Sequence, residues 1–359
     1  MKGEEKVITV LIVDDSRTIL QYLCNLVEAD PELTVVGTAV NGFDAVDKVK
    51  LLQPQVVIMD IEMPELDGIS ATRRIMEESP VPIVICSANL SHKLTEKSYC
   101  AIQAGALAAV AKPRGVGTPG AQELVESLLH KVKVMSGVKV VRRKSMSSPQ
   151  SKLQSPKVDL DNDFLVKLKS NPPVLIAIGA STGGPMVLKA VLARLKKDFP
   201  LPILIVQHIA QGFLEGMVSW LQGEVEIPLA IARDTEKPLS GHVYFAPDGC
   251  HLELSGAGLI HLTTGPPEYS VKPAVAPLFR CLAQPGAPAA LAIILTGMGR
   301  DGALEQLAMR ECGQMTIAQD EESSVVNGMP GEAARLGAAQ VRMNPEAIGE
   351  LLNLLPFSG

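Results

Sequence analysis

Three carboxylates and one lysine stand where apolar runs end: Asp14-Asp15 after Val7–Val13, Asp60 after Gln55–Met59, and Lys112-Pro113 after Leu107–Ala111. If those runs are parallel strands of one sheet, all four groups open on a single edge, where ligands of such sheets bind. Carboxylates held together repel, and the usual remedy is a hard divalent cation with oxygen ligands, most simply Mg2+. Asp60 can then act as a nucleophile. An aspartyl phosphate formed on it would be countered by Lys112 and the metal, with Ser87, after the run Ile83–Cys86, placed to hydrogen-bond a phosphate oxygen. Strand-end acids are common singly; their joint occurrence with Ser87 and Lys112 is what favours chemistry over a merely solvated edge.

A second constellation lies further along. The run Val174–Ile178 leads into Gly179-Ala-Ser-Thr-Gly-Gly-Pro185 and then a helical pattern, so Ser181 sits in a G-x-S-x-G turn between strand and helix. Such a turn exposes the hydroxyl beside the free N–H groups of a helix N-terminus, which can stabilise an oxyanion. Alone the motif is weak, because a Gly-rich turn can equally cradle a phosphate or pack closely. Two further apolar runs strengthen it: Ile203–Gln207 ends in His208, and the run Ala292–Thr296 is followed by Gly-Met-Gly-Arg and then Asp301 between glycines. A serine, a base and a carboxylate delivered to one sheet edge are the parts of a nucleophilic hydrolase. Asp320 is the runner-up carboxylate. His242, His251 and His261 lie at a turn or within short strands, and His92 and His130 belong to the first half of the chain. The glycines lack a following Lys-Ser/Thr and no G-x-G-x-x-G is present, which disfavours a P-loop and a dinucleotide site.

The elements that must carry these groups alternate. In the first half, Val7–Val13, Leu33–Gly37, Gln55–Met59, Ile83–Cys86 and Leu107–Ala111 read as strands, with helices such as Ser16–Glu28, Gly42–Leu52 and Glu123–Met135 between or after them. That is a five-stranded, doubly wound parallel sheet. After Pro173 the alternation resumes with Val174–Ile178, Ile203–Gln207 and Leu291–Leu295 as strands, and Met186–Leu195 and Ala303–Cys312 as helices. A second α/β domain with a mainly parallel sheet follows. Val243–Ala246, His251–Leu254 and Leu259–Leu262, split by Pro-Asp-Gly and Ser-Gly-Ala-Gly, read as a short antiparallel excursion. Between the halves, Arg142-Arg143-Lys144 and a Ser/Pro-punctuated stretch read as a flexible linker, with one short helical turn over Phe164–Lys169. The division is therefore 1–136, a linker over 137–172, and 173–359.

Composition bounds the partners. Of 359 residues 47% are hydrophobic but only 3% aromatic, so the interiors must be aliphatic, as buried parallel sheets are. A formal net charge of −6 argues against a nucleic-acid partner, which calls for a basic face. Six dispersed cysteines without a C-x-x-C pair suggest neither a disulfide framework nor a zinc site, as expected in a reducing cytoplasm. No stretch approaches the roughly 18 apolar residues of a membrane span, and the N-terminal run ends too soon for a signal peptide.

The first constellation, with Met59-Asp60-Ile61-Glu62-Met63-Pro64-Glu65-Leu66-Asp67-Gly68, resembles the receiver domain of response regulators over roughly residues 5–135. The resemblance implies phosphorylation of Asp60 by a sensor histidine kinase and a Mg2+ held by Asp14, Asp15, Asp60 and the backbone carbonyl of Glu62. It departs at Ala109, where receivers commonly carry Tyr or Phe three residues before the lysine. The whole chain resembles the chemotaxis response-regulator protein-glutamate methylesterases, through Gly179–Pro185, Gln207-His208, Phe245–Gly249, Leu295–Gly302, Ala318–Glu321 and Gly328–Pro330. That resemblance implies a receiver over 1–136 and a methylesterase domain over 173–359. It implies removal of methyl esters from glutamates on the cytoplasmic helices of chemoreceptors, and in many members deamidation of receptor glutamines, with no cofactor for the hydrolase. Ser181 would be the nucleophile, His208 the base and Asp301 its orienter, with Thr182 and Met298 beside them and the Met298 amide as an oxyanion donor. The rival classes are a non-catalytic, phosphorylation-dependent adaptor for receptors or kinase, and a DNA-binding regulator, which the acidic charge and the strand-rich second domain oppose.

Overall fold

The structure is a computed structural model in which residues 7–87, 92–113, 121–138, 140 and 162–355 are described. The chain divides into two compact units, Met1–Ser151 and Lys152–Gly359. The basic cluster Arg142-Arg143-Lys144 and most of the expected linker lie outside the described residues.

In the first unit the elements run β1 Ile8–Val13, α1 Arg17–Glu28, β2 Leu33–Ala39, α2 Gly42–Leu52, β3 Val56–Met59, α3 Gly68–Glu78, β4 Ile83–Ser87, α4 His92–Ala104, β5 Ala108–Ala111 and α5 Ala121–Ser136. The five strands form one sheet in the order β2-β1-β3-β4-β5, every pairing parallel. Val10–Val13 and Val56–Met59 are wholly buried, the continuous apolar signature of a parallel strand covered on both faces. Helices restart promptly because polar residues cap them: Ser16 Oγ accepts from Ile19 N, Asn41 Oδ1 from Asp44 N and Asp67 Oδ1 from Ser70 N. Chain direction across the sheet reverses between β1 and β3, and the Asp14-Asp15 pair and Asp60 follow those two strands.

The second unit runs α6 Asn162–Ser170, β6 Leu175–Ala180, α7 Gly184–Leu192, β7 Ile203–Gln207, α8 Leu214–Gln222, β8 Leu229–Ile231, β9 Val243–Phe245, β10 His251–Leu254, β11 Ile260–Thr263, α9 Val275–Leu282, β12 Ala290–Ile294, α10 Ala303–Glu311, β13 Met315–Gln319, α11 Met329–Arg335, β14 Val341–Met343 and α12 Pro345–Asn353. Seven strands make a parallel sheet in the order β14-β13-β12-β6-β7-β9-β8, and β10-β11 form a separate antiparallel pair. The expected excursion is thus only part antiparallel. Val243–Phe245 joins the main sheet, parallel between β7 and β8, because all three residues are apolar enough to be buried on both faces. Strands β6, β7 and β12 lie side by side at the centre of the sheet, where the connection reverses direction. α6, nine residues long, extends the expected helical turn, with Phe164 and Leu168 buried. Among the described residues no helix is long and apolar enough to cross a membrane.

Candidate functional site

In the first unit, Asp14, Asp15 and Asp60 each offer a carboxylate oxygen, and these atoms lie within 4.8 Å of one another. Lys112 Nζ reaches Asp14 Oδ2 at 2.5 Å and Asp60 Oδ1 at 3.0 Å, with the lysine and both partners buried. Burial, reinforced by Asp14 and only partly opposed by Lys112, pushes the Asp60 pKa up to about 6. Burial also works against the Lys112 charge, but the two carboxylates outweigh it and hold its pKa above the ordinary lysine value. An ionised Asp60 therefore has one cation for two neighbouring carboxylates, and all-oxygen donors with an exposed Asp15 at the mouth suit a hard cation that keeps water.

The backbone beside Asp60 is tightly constrained. A Cβ on Gly68 would lie 1.9 Å from the Asp60 carbonyl oxygen, so only glycine lets α3 start there. Ser87 is buried at the end of β4, where its carbonyl accepts from Lys112 N at 2.7 Å, so serine and lysine are fixed relative to each other through the β4–β5 ladder. Glu62 is exposed and its side chain pairs with Lys97 at 2.7 Å. Ala109 is half-buried in β5, opposite Ile85.

In the second unit, Ser181 follows β6, His208 follows β7 and Asp301 follows β12. His208 N donates to Ala180 O at 2.8 Å, and Ser181 N donates to Thr296 O at 3.0 Å, so the main chain holds the three strand ends together. His208 Nε2 stands 2.7 Å from Asp301 Oδ2. A carboxylate only accepts, so Nε2 carries a proton, and in the neutral ring Nδ1 is then the nitrogen with the lone pair. Asp301, 2% exposed, is itself fixed at the start of α9: Val275 N donates to Oδ2 at 2.6 Å and Ala276 N donates to Oδ1 at 3.0 Å. Among the described residues no hydrogen bond joins the half-buried Ser181 hydroxyl to the His208 ring, a bond that commonly tightens only with substrate. Thr182 O accepts from Thr296 Oγ1 at 3.0 Å, and Met298 is half-buried in the loop between β12 and α10.

The rival groups have other partners. Asp320 accepts from Ser323 N at 2.9 Å and from its hydroxyl at 2.6 Å, a local cap rather than a partner of the imidazole. His251 is buried with both ring nitrogens engaged, Nε2 with Pro266 O at 2.9 Å and Nδ1 with Ala274 N at 3.1 Å. His242 faces Ser240 O and His261 pairs with Asp234 at the surface.

A model of the CheB methylesterase family matches residues 176–352, and one of the response regulator receiver domain matches residues 10–118. A protein-glutamate methylesterase/protein-glutamine glutaminase of Geobacter metallireducens is 44% identical over 349 residues, 97% of this chain and 99% of that protein. The chain belongs to the CheB methylesterase family. A relative with the same description from Nitrosospira multiformis is 44% identical over 97% of each chain, and one from Syntrophus aciditrophicus is 42% identical over 96% of this chain and 97% of its own. These matches run through both units.

The methylesterase unit also contains residues whose part in the site the motifs alone do not announce. Gln207, 3% exposed, donates from Nε2 to Ser181 O and to His208 O, both at 2.8 Å. Thr296, fully buried, donates to Thr182 O, accepts from Val326 N at 3.0 Å, and is held through its own N–H by Gln319 Oε1 at 2.7 Å. The sequence signals for Gln207 are a polar residue closing an otherwise apolar strand and its place in the Gln207-His208 pair.

Proposed function

We propose that this chain is a phosphorylation-regulated serine hydrolase that removes methyl esters from glutamate side chains on the cytoplasmic helices of chemoreceptors. Support comes chiefly from one observation: an oriented His208–Asp301 pair set beside Ser181 at the centre of a parallel sheet, in a chain of the CheB methylesterase family.

Ser181 Oγ attacks the ester carbonyl carbon while His208 Nδ1 takes the hydroxyl proton. Asp301 holds the Nε2–H and stabilises the imidazolium that results. Backbone amides near Thr182 and Met298 are the candidates for receiving the oxyanion. Collapse of the tetrahedral intermediate breaks the C–O bond to the methoxy group, which leaves as methanol with the proton from His208. Water then enters and attacks the acyl carbon as His208 takes its proton, and collapse breaks the bond to Ser181 Oγ, which regains that proton from His208 as the glutamate is released. The same steps applied to a glutamine side chain release ammonia.

In the receiver, Asp60 accepts a phosphoryl group from a sensor histidine kinase, with Lys112 and Ser87 meeting its oxygens. Asp14, Asp15, Asp60 and the Glu62 carbonyl would hold Mg2+, which when bound supplies the positive charge that phosphoryl transfer needs. The division into 1–136, a linker over 137–172 and 173–359, and a cytoplasmic location, accompany this proposal.

The test is methanol release from radiomethylated receptor-bearing membranes, with and without a small-molecule phosphodonor and Mg2+. Release that the phosphodonor stimulates, that Ser181→Ala abolishes and that Asp60→Ala no longer couples to the phosphodonor is expected. No release from several receptors would sink the hydrolase and leave a phosphorylation-dependent adaptor.

A further inference from the structure

We infer that Gln207 is a positioning residue that fixes nucleophile and base relative to each other, and that position 184 is glycine to admit its side-chain amide. This rests on the hydrolase proposed above. Gln207 closes β7 and its side chain turns back under the strand ends, where Nε2 donates to Ser181 O and His208 O at 2.8 Å each. One planar amide thus ties the main chain of the two residues that must exchange a proton, although 26 positions separate Gln207 from Ser181.

The orientation is unambiguous. Both Nε2 hydrogens meet carbonyl oxygens, whereas a flipped amide would set Oε1 against those same two oxygens. Oε1 consequently has no hydrogen-bond partner among the described residues, although it is buried. An orphan acceptor in the interior is costly and calls for a reason. Here the reason is the pair of bonds on the other end of the same amide, while the positive end of α7 softens the cost on the oxygen side. Gly184, the first residue of α7, lies against that oxygen: a Cβ there would be 2.0 Å from Oε1 and 2.9 Å from Cδ. Gly184 N also donates to Ser181 O at 2.8 Å, so the nucleophile's carbonyl is gripped from the helix and from Gln207 at once.

An aliphatic side chain of similar reach could fill the space, but it could not hold two carbonyls in register. Displacing a reacting group by about 1 Å costs on the order of 100-fold in rate. In the full-length chain, Gln207→Ala is expected to lower kcat for methanol release about 100-fold while leaving KM within about twofold, and to slow labelling of Ser181 by an uncharged fluorophosphonate by a similar factor. Gly184→Ala is expected to do the same by pushing the amide aside. Because both variants remove one and the same clamp, the double variant should be no slower than either single one. A Gln207→Ala variant that folds, judged by its thermal transition, and retains kcat and labelling within about threefold of the parent overturns the inference, as do independent, multiplying losses. If Gln207→Ala fails to fold, Gly184→Ala alone decides: labelling at the parental rate overturns the clamp. A parent that labels at Ser181 but releases no methanol removes the substrate assignment without touching the clamp, and a parent that does neither removes both.

Discussion

Asp301 Oδ2 meets His208 Nε2 at 2.7 Å with the same oxygen that accepts the Val275 N–H. Among the described residues the carboxylate thus accepts from three donors, the imidazole and the first two amides of α9. Asp301 gains its orientation from a helix N-terminus that follows a loop some 25 residues earlier in the chain, and it passes that orientation to the ring.

Asp301→Asn should therefore be more harmful than its small change in shape suggests. An amide has only one accepting atom, so its NH2 must face either a backbone N–H or the ring N–H. Flipping the ring tautomer to relieve this would place a proton where Nδ1 must accept one. A loss of about 10^4 in kcat, the order seen when the orienting carboxylate of a serine-protease triad is changed in this way, should accompany a stability loss of about 1–3 kcal/mol. Steady-state methanol release and denaturant unfolding of the purified chain check both, and a variant within tenfold of the parent kcat would contradict this role.

Two histidines of the methylesterase unit offer a controlled comparison. Among the described residues the His208 ring makes one hydrogen bond, to Asp301, whereas the His251 ring is bonded at both nitrogens across the loop that leads into α9. His208→Ala is expected to abolish methanol release with a modest change in the thermal midpoint. His251→Ala leaves Pro266 O and Ala274 N unpaired around a cavity, so a loss of about 2–4 kcal/mol is expected. Thermal unfolding of both variants beside the activity assay separates them; equal effects on stability would show that the second ring bond of His251 carries no energetic weight.

The long apolar strands were legible because strands buried on both faces read as unbroken aliphatic runs, and the residues that end them stand out by contrast. Ser181, His208 and Asp60 stand out in that way, whereas Asp301 lies beyond β12 after Leu295-Thr-Gly-Met-Gly-Arg. β8 and β14 do not, being three-residue edge strands too short and too exposed to carry a pattern. β13, Met315–Gln319, contains Thr316 and Gln319, whose burial depends on bonds to Ala338 O and Thr296 N, partners more than 20 residues away. Val243–Phe245 could not reveal its direction, since three apolar residues fit a parallel or an antiparallel neighbour equally. Gln207 is the same lesson within the site: its type is visible, but its long-range acceptor, Ser181 O, comes within reach only once β6 and β7 lie side by side.

The receiver pocket predicts a dependence of stability on pH. Asp60 has an ordinary carboxylate value near 3.8 when unfolded and about 6 in the folded chain, with burial the main cause and Asp14 adding to it against Lys112. Between those values the folded chain retains a proton that the unfolded chain has released, so the stability linked to this group is present below about pH 4 and is lost as pH rises through about 6. The ionised carboxylate at neutral pH thus costs on the order of 2–3 kcal/mol at about 1.4 kcal/mol per unit. Asp60→Asn removes that cost, and without divalent cations at pH 7.5 its receiver transition in urea should lie above that of the parent, with the advantage gone near pH 4. Added Mg2+ should stabilise the parent by mass action and narrow the gap, since the variant lacks one of the three carboxylates that would bind it. An Asp60→Asn chain no more stable than the parent at pH 7.5, or one whose advantage persists at pH 4, would mean that the carboxylate is not held against its own charge.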